Sequence, residues 1–552
     1  MTDVTAAAST SGRSEGAVTD VDVVVVGAGF AGIYSLYHLR DLGFRVQVIE
    51  TGDGVGGTWY WNRYPGARCD VPSLEYSYGF SKELQQEWEW TEIMPAREEI
   101  EEYLNHVVDR FDLRRDIKFG TRVTAATFDE GEARWLVETD RGDRYSAPFC
   151  VMATGCLSAP TMPEVEGRDS FEGRVLQTSL WPREGVDFTG LRVGLIGTGS
   201  SGVQTTPEIA REAEHLYVFQ RTATYSFPAY RGMIDPELQK SFKANPGDFR
   251  RRQREAFAGV AGFGGALGPA QPPARKILET PWEEQLEVLD ELGFWGARAW
   301  GDVFVDLEAN EAGAELFREM IRRTIDDPEV AEALSPRGYP IGCKRLVFGV
   351  DYYEAFNRDN VTLVDLSKGA IESITPTGIR TGQGDYEVDV VIFATGFDAM
   401  TGALNRIDIR GRGGQLLRDV WADGARTLLG LQSFGFPNLF TITGPGSPSV
   451  LSNMVVGIEQ HVEWIGDCLS YLRDHGMHSI EPTLAAQDNW VEHVNEVSKG
   501  TMYTAPSCNS WYLGANIPGK PRVFLPYVGG LPAYIERADA MASAGYEGFA
   551  LA

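Results

Sequence analysis

Twice in this chain a run of apolar, largely β-branched residues ends on GxGxxG and passes directly into a helical pattern, and no other feature narrows the fold as much. Residues 21–26 (VDVVVV) lead into Gly27, Gly29 and Gly32, and residues 191–196 (LRVGLI) lead into Gly197, Gly199 and Gly202. At this spacing the first glycine makes a tight turn, the second lets the backbone approach a pyrophosphate, and the third lets the helix pack on the strand. The expectation is an α/β chain with two dinucleotide-binding, Rossmann-like domains.

The ends of the next strands separate the two sites. Residues 45–50 (RVQVIE) finish on Glu50, a carboxylate placed to accept hydrogen bonds from an adenosine ribose. Residues 216–222 (LYVFQRT) finish instead on Arg221 and Thr222. An arginine cannot accept from a 2′-hydroxyl but pairs bidentately with a 2′-phosphate, which favours NADPH/NADP+ at the second site and leaves FAD for the first. Two further apolar strands, VMATG (151–155) and VIFATGFD (391–398), close on glycine turns and give candidate boundaries near 158 and 391.

A length of 552 residues with 43% hydrophobic content suits two or three packed domains, and a formal charge of −28 argues against nucleic acid or an anionic membrane surface as partner. The first twenty residues are small and polar and read as a disordered tail, not a secretory signal, and no later run reaches membrane-spanning length. The six cysteines, Cys69, Cys150, Cys156, Cys343, Cys468 and Cys508, are scattered without a CxxC pair. That pattern disfavours a disulfide framework, a zinc site or a redox dithiol, and points to a reducing, cytoplasmic setting. No metal is expected, because the seven histidines show no ligand spacing and His38, His106 and His461 lie in helix-like segments.

Residues 56–70 read GGTWYWNRYPGARCD, with Gly56, Gly57, Trp59, Tyr64, Pro65, Gly66 and Asp70 fixed, and residues 171–182 read FEGRVLQTSLWP, with Phe171, Gly173, Trp181 and Pro182 in register. These patterns, with GYPIGCKRL (338–346), ALNRIDIRG (403–411), GPGSPSVLSNM (444–454) and SWYLGANIPGKPRV (510–523), resemble the Baeyer–Villiger monooxygenases among the class B flavoprotein monooxygenases. One letter departs: Gln177 stands where that family carries histidine. The resemblance implies FAD-binding segments 21–158 and 391–552, NADP-binding segments 159–225 and 336–390, and a helical insertion at 226–335. It implies conversion of a ketone and O2 to an ester or lactone, using an oxygenating peroxide that reduced flavin can form and no side chain can.

In that reading Arg345 stabilises the anionic oxygens and Asp70 pairs with it, Lys344 joins Arg221 at the 2′-phosphate, and Gly57 and Trp59 lie by the flavin. Trp511 folds over the nicotinamide, and Val71, Leu451 and Met454 wall the pocket. Trp181 separates the chain from N- and S-oxygenating relatives, which usually carry tyrosine there. Two alternatives stand beside it: sulfide or amine oxygenation, and an uncoupled NADPH oxidase or flavin-binding regulatory protein, for which Gln177 is the only support. Elsewhere, Ile100, Tyr103, Leu104, Val107, Val108 and Phe111 mark an amphipathic helix over 96–113. Leu316, Phe317, Met320, Ile321 and Ile325 form a helical stripe in the insertion, and the Gly-, Ala- and Pro-rich stretch 256–276 reads as a flap or connector.

Overall fold

The computed structural model describes residues 17–230, 232–262 and 275–552. Two five-stranded parallel sheets organise the chain. Across the first the order is Leu439–Thr441, Phe149–Met152, Val23–Val26, Val46–Ile49 and Ile117–Lys118. Across the second it is Val361–Asp365, His215–Gln220, Arg192–Ile196, Val390–Phe393 and Arg174–Gln177. Each fingerprint strand is thus the middle strand of its sheet. Helices cover the faces of such sheets, so Val23–Val26 and Val390–Phe393 are apolar and buried at every residue instead of alternating.

The helix Phe30–Asp41, which follows the first fingerprint, packs on the long helix Met454–Asp474 from the C-terminal part of the chain. The amphipathic helix runs over Arg97–Arg110, burying Ile100, Tyr103, Leu104, Val107 and Val108, with Phe111 at its C-cap and only partly covered. The insertion's stripe lies on the helix Leu307–Thr324, whose N-cap Asp306 accepts from the Ala309 N–H at 2.8 Å. Leu316, Phe317 and Ile321 are buried there, as is Ile325 just beyond it, and Met320 is half-buried. Of the stretch 256–276, residues 263–274 lie outside the described residues. Its start is anchored: the carbonyls of Phe257 and Ala258 accept from the N–H groups of Leu531 and Asn453, each at 2.8 Å.

Between the two sheets the chain crosses twice, and the crossings pair with each other. The Thr161 N–H donates to Gly396 O at 3.0 Å, the Asp398 N–H to Ala159 O at 2.8 Å, and the Met400 N–H to Cys156 O at 2.8 Å. The Thr161 and Thr395 hydroxyls each donate to the other residue's carbonyl, at 2.9 and 2.7 Å. The ATG turns therefore end in a short two-stranded ladder that spans from one sheet to the other.

Two expectations are corrected. The N-terminal tail does not extend to residue 20: residues 1–16 lie outside the described residues, but Val18–Asp20 pairs in parallel with Arg144, Tyr145 and Ser146. A short polar segment can complete a sheet edge through its backbone alone, which composition does not reveal. The scattered cysteines also include a bonded pair. Cys343 and Cys508 form a disulfide across 165 residues with a Cα–Cα distance of 5.9 Å, while Cys69, Cys150, Cys156 and Cys468 stay free. Local spacing such as CxxC is blind to a bond made by tertiary approach. Among the described residues no helix is long and apolar enough to cross a membrane.

Candidate active site

The two glycine turns are built alike. Gly27 and Gly197 have φ of +106° and +112°, the left-handed region that glycine alone enters without strain. A Cβ on Gly32 would lie 1.8 Å from Gly27 O, and one on Gly202 would lie 2.0 Å from Gly197 O, so the third glycine of each motif is demanded by helix-on-strand contact. The second glycines differ. A Cβ on Gly199 would meet nothing within 4 Å, whereas one on Gly29 would lie 3.4 Å from the Gly57 Cα. The space in front of Gly199 is open to a pyrophosphate, and at Gly29 the second motif, GGTW, forms the facing wall.

Glu50 is 5% exposed and already engaged: its Oε2 accepts from the Ala28 N–H and its Oε1 from the Gly52 N–H, both at 2.7 Å. Burial pushes its carboxyl up, and these backbone N–H groups oppose the shift. It braces the turn, and each oxygen keeps a further lone pair for a ribose hydroxyl. Gly57, at φ +54°, caps the short helix Thr58–Trp61; Trp59 is buried and its indole N–H reaches the Tyr76 hydroxyl at 3.3 Å. These residues fit FAD.

At the second cradle Arg221 and Thr222 are exposed and line an open depression of about 730 Å³. The Thr198 hydroxyl of the glycine turn donates to Thr222 O at 3.0 Å, fixing the strand end against it. Lys344 is brought to the same place from the distant 338–346 segment, its Nζ 4.1 Å from the centre of the Tyr339 ring. Burial lowers the Lys344 pKa, and the neighbouring Arg221 cation lowers it further, with no carboxylate offsetting them. Two neighbouring cations, one of them, Lys344, with no carboxylate offsetting its charge, fit a phosphate dianion, and hence NADP(H).

Between the cradles stands an ion pair. The Arg345 Nε donates to Asp70 Oδ2 at 2.8 Å and its Nη2 to Asp70 Oδ1 at 2.7 Å, joining residues 275 positions apart. The Nη1 donates to Val450 O at 3.0 Å, so the 444–454 loop also meets the guanidinium. These bonds engage three of the five N–H groups; of the remaining two, one on each terminal nitrogen, one meets the Tyr512 hydroxyl. Burial works against the Arg345 charge, but the Asp70 carboxylate more than offsets it, and the guanidinium pKa rises above its ordinary value. The Tyr512 hydroxyl also interacts with it.

Val71 follows Asp70 directly and is half-buried; Leu451 and Met454 pack with Val450, Cys343, Met400 and Tyr512. Trp511 is half-buried against the same cluster. Sequence reasoning missed Tyr512 and Cys156, whose thiol burial pushes up to about 11 and which lies near Arg345 and Ser449. The signal was available in their neighbours, Trp511 and the ATG turn.

The linker 171–182 lies against the ladder. Gln177 ends the edge strand Arg174–Gln177, and its Nε2 donates to Thr161 O at 3.2 Å. A Cβ on Gly173 would fall 2.4 Å from Asp389 O, and Trp181 is buried in a cluster with Tyr64, Ala67 and Phe188. That cluster continues into a dock that the motifs did not announce. The Tyr64 hydroxyl donates to Gln204 Oε1 at 2.9 Å, Gln204 Nε2 donates to Arg68 O at 3.1 Å, and the Thr205 hydroxyl donates to Pro65 O at 3.3 Å. The loop carrying Asp70 is thereby fastened to the helix Ser200–Glu212 of the second cradle.

The glycines separate folding from binding. Gly202→Ala is expected to lower stability by about 1–3 kcal/mol in denaturant unfolding. Gly199→Ala should unfold within ~0.5 kcal/mol of the parent yet raise the NADPH KM. Arg221→Ala should raise the NADPH KM by roughly 10- to 100-fold, from charge-assisted contacts worth ~1.5–3 kcal/mol, while the NADH KM, measured in parallel, changes by less than about two-fold.

Comparison with known proteins agrees with this construction. Residues 24–248 match the family described as pyridine nucleotide-disulphide oxidoreductase. An acetone monooxygenase (methyl acetate-forming) of Gordonia sp. (strain TY-5) is 41% identical, over 97% of this chain and 99% of its own. A solved structure of an oxidised steroid monooxygenase bound to NADP is 48% identical with a TM-score of 0.89, covering 97% of this chain and 99% of that one. A phenazine N-monooxygenase of Lysobacter antibioticus is 38% identical, over 97% of each chain. With both cradles, the bidentate pair and these relatives together, the chain belongs to the class B, FAD- and NADPH-dependent Baeyer–Villiger monooxygenase family.

Proposed function

We propose that this protein converts a ketone, NADPH, a proton and O2 into an ester or lactone, NADP+ and water. The observation that carries the reading is the bidentate Asp70–Arg345 pair placed between the two cradles and against the 444–454 loop. Bound FAD supplies O2 activation and oxygen transfer, and bound NADPH supplies the hydride. Arg345 holds a cation that cannot be lost at working pH, facing the negative charge that develops on the ketone oxygen. Asp70 fixes the plane of that guanidinium. Arg221 and Lys344 hold the 2′-phosphate, Trp511 shields the nicotinamide, and Val71, Leu451 and Met454 shape a pocket for a moderately bulky ketone. The segments 21–158 with about 395–552, and 159–225 with 336 to about 394, are the two cofactor domains; because the strand Val390–Phe393 belongs to the second sheet, the boundary lies at the crossing ladder and not at 391. A cytoplasmic setting, with no stable membrane or nucleic-acid partner, accords with the charge of −28.

The relationship to a phenazine N-monooxygenase supports a second reading, oxygenation of an amine or sulfide. A panel of ketones, an amine and a sulfide, scored for ester, N-oxide, sulfoxide and hydrogen peroxide, decides between them. Ester or lactone is expected to dominate, and Arg345→Ala should lower its rate by about 10²–10³-fold. Dominant N-oxide or sulfoxide, or NADPH consumption that no ketone stimulates, would contradict the proposal.

Gln177 supplies a neutral amide to a backbone carbonyl, on a segment other than those that carry the charged pair. Gln177→His is therefore expected to leave ester formed per NADPH within about two-fold, because the donor is retained. A large gain in ketone-dependent NADPH use over uncoupled oxidation would show that the residue limits the enzyme.

A further inference from the structure

The disulfide joins two segments that each carry site residues. Cys343 immediately precedes Lys344 and Arg345, and Cys508 lies just before Trp511 and Tyr512. Both cysteines are fully buried, in a cluster with Ala399, Met400, Val450 and Tyr512. The segment 338–346 has no regular secondary structure and turns at Gly338 and Gly342, with φ of +77° and +83°; the Asn310 amide pins it at Ile341, at 2.9 and 3.0 Å, and between Ile341 and Arg345 its tie is Cys343. The partner segment is well fastened. Lys520 Nζ donates to Asp398 Oδ1 at 2.6 Å and Ala399 O at 3.0 Å, and Arg522 Nη2 donates to Cys508 O at 2.8 Å. The Asn516 amide reaches Phe397 O at 2.8 Å. The one covalent link from this braced segment to the Arg345 segment is the sulfur–sulfur bond.

We propose that the Cys343–Cys508 disulfide is a redox-responsive positioning tether, holding Arg345 in register with the Trp511–Tyr512 segment so that the oxidised enzyme couples NADPH use to oxygen insertion while the dithiol form releases hydrogen peroxide. The inference rests on the role given to Arg345 above. Closing the bond consumes hydrogen peroxide: one thiolate attacks a peroxide oxygen to give a sulfenic acid and water, and the second thiol displaces another water to form the disulfide. Two electrons pass from the sulfurs to the peroxide and two waters leave. Opening it is thiol–disulfide exchange, in which an added dithiol reduces the pair and leaves as its own disulfide. The oxidant is thus the product of uncoupled turnover, and leakage closes the bond that suppresses leakage. Burial of both sulfurs slows closing and opening alike, so the bond, once formed, persists where exposed disulfides are reduced.

The test uses the FAD-loaded enzyme purified without reductant. Alkylation and peptide mass measurement should find Cys343 and Cys508 protected before reduction and labelled after it. Peroxide and ester are then measured per NADPH in the oxidised enzyme, after dithiol treatment, and after reoxidation with hydrogen peroxide. Reduction is expected to raise the peroxide fraction about five- to ten-fold, below the ~10²-fold that a 1 Å misplacement produces, and reoxidation to restore it. The Cys343→Ala/Cys508→Ala variant should remain at the leaky value and ignore both reagents. Because the reduction and recovery are read on the parent chain, a variant that folds poorly does not remove the test. Both cysteines labelled without reduction, or ester formation with the same peroxide fraction in every redox state, overturns the tether and leaves the Arg345 reading standing. Absence of ester from every ketone in both states overturns both.

Discussion

A guanidinium withdrawn from water must be matched, and in this chain the match is Asp70. Removing one partner from a buried or half-buried pair leaves an uncompensated charge, while the intact pair contributes little net stability because desolvation offsets attraction. Its value lies in orientation. Two parallel N–H to oxygen bonds fix the plane of Arg345, and a third bond to Val450 O sets its rotation. The rest of the structure serves to bring these groups to one point. Asp70 sits at the end of the loop that walls the first glycine turn, and that loop is held to the second cradle through Tyr64, Gln204 and Thr205. Arg345 comes from an irregular segment whose only covalent support in space is the Cys343–Cys508 bond.

The local parts of this arrangement were legible in the sequence. The glycine turns could be read because their geometry is dictated by atoms within a few residues: Gly27 needs a positive φ, and Gly32 leaves no space for a Cβ. The apolar strands and the face of the helix Arg97–Arg110 follow from periodicity for the same reason. Asp70 and Arg345 were reached only by family resemblance, since no periodicity relates residues 275 positions apart. The disulfide, the Tyr64–Gln204 dock and the ladder of Thr161 with Thr395 all arise from tertiary approach, and none has a local signal. Val18–Asp20 escaped notice because an edge strand is held by its backbone, to which side-chain polarity gives no guide.

The departure at Gln177 takes a definite place in this picture. It borders the crossing ladder and donates to Thr161 O, the same carbonyl that receives the Thr395 hydroxyl. A neutral amide meets that requirement without a titrating group. The cations proposed to meet anionic ligands, Arg221, Lys344 and Arg345, lie on other segments, and the linker packs Trp181 beside Tyr64 and Ala67. The unusual letter therefore lies at the crossing between the two sheets, on a segment apart from those that carry Asp70 and Arg345.

In the proposed reaction Asp70 acts through Arg345 as one unit in oxygen insertion. A double-mutant cycle on single-turnover ester formation, with Asp70→Ala, Arg345→Ala and the double variant, measures it directly. Strong non-additivity is expected: once Arg345 is gone, removing Asp70 changes the rate by less than about three-fold, giving a coupling of at least ~1.5 kcal/mol. Losses that simply multiply would contradict it, since each residue would then act on the reaction independently of the other.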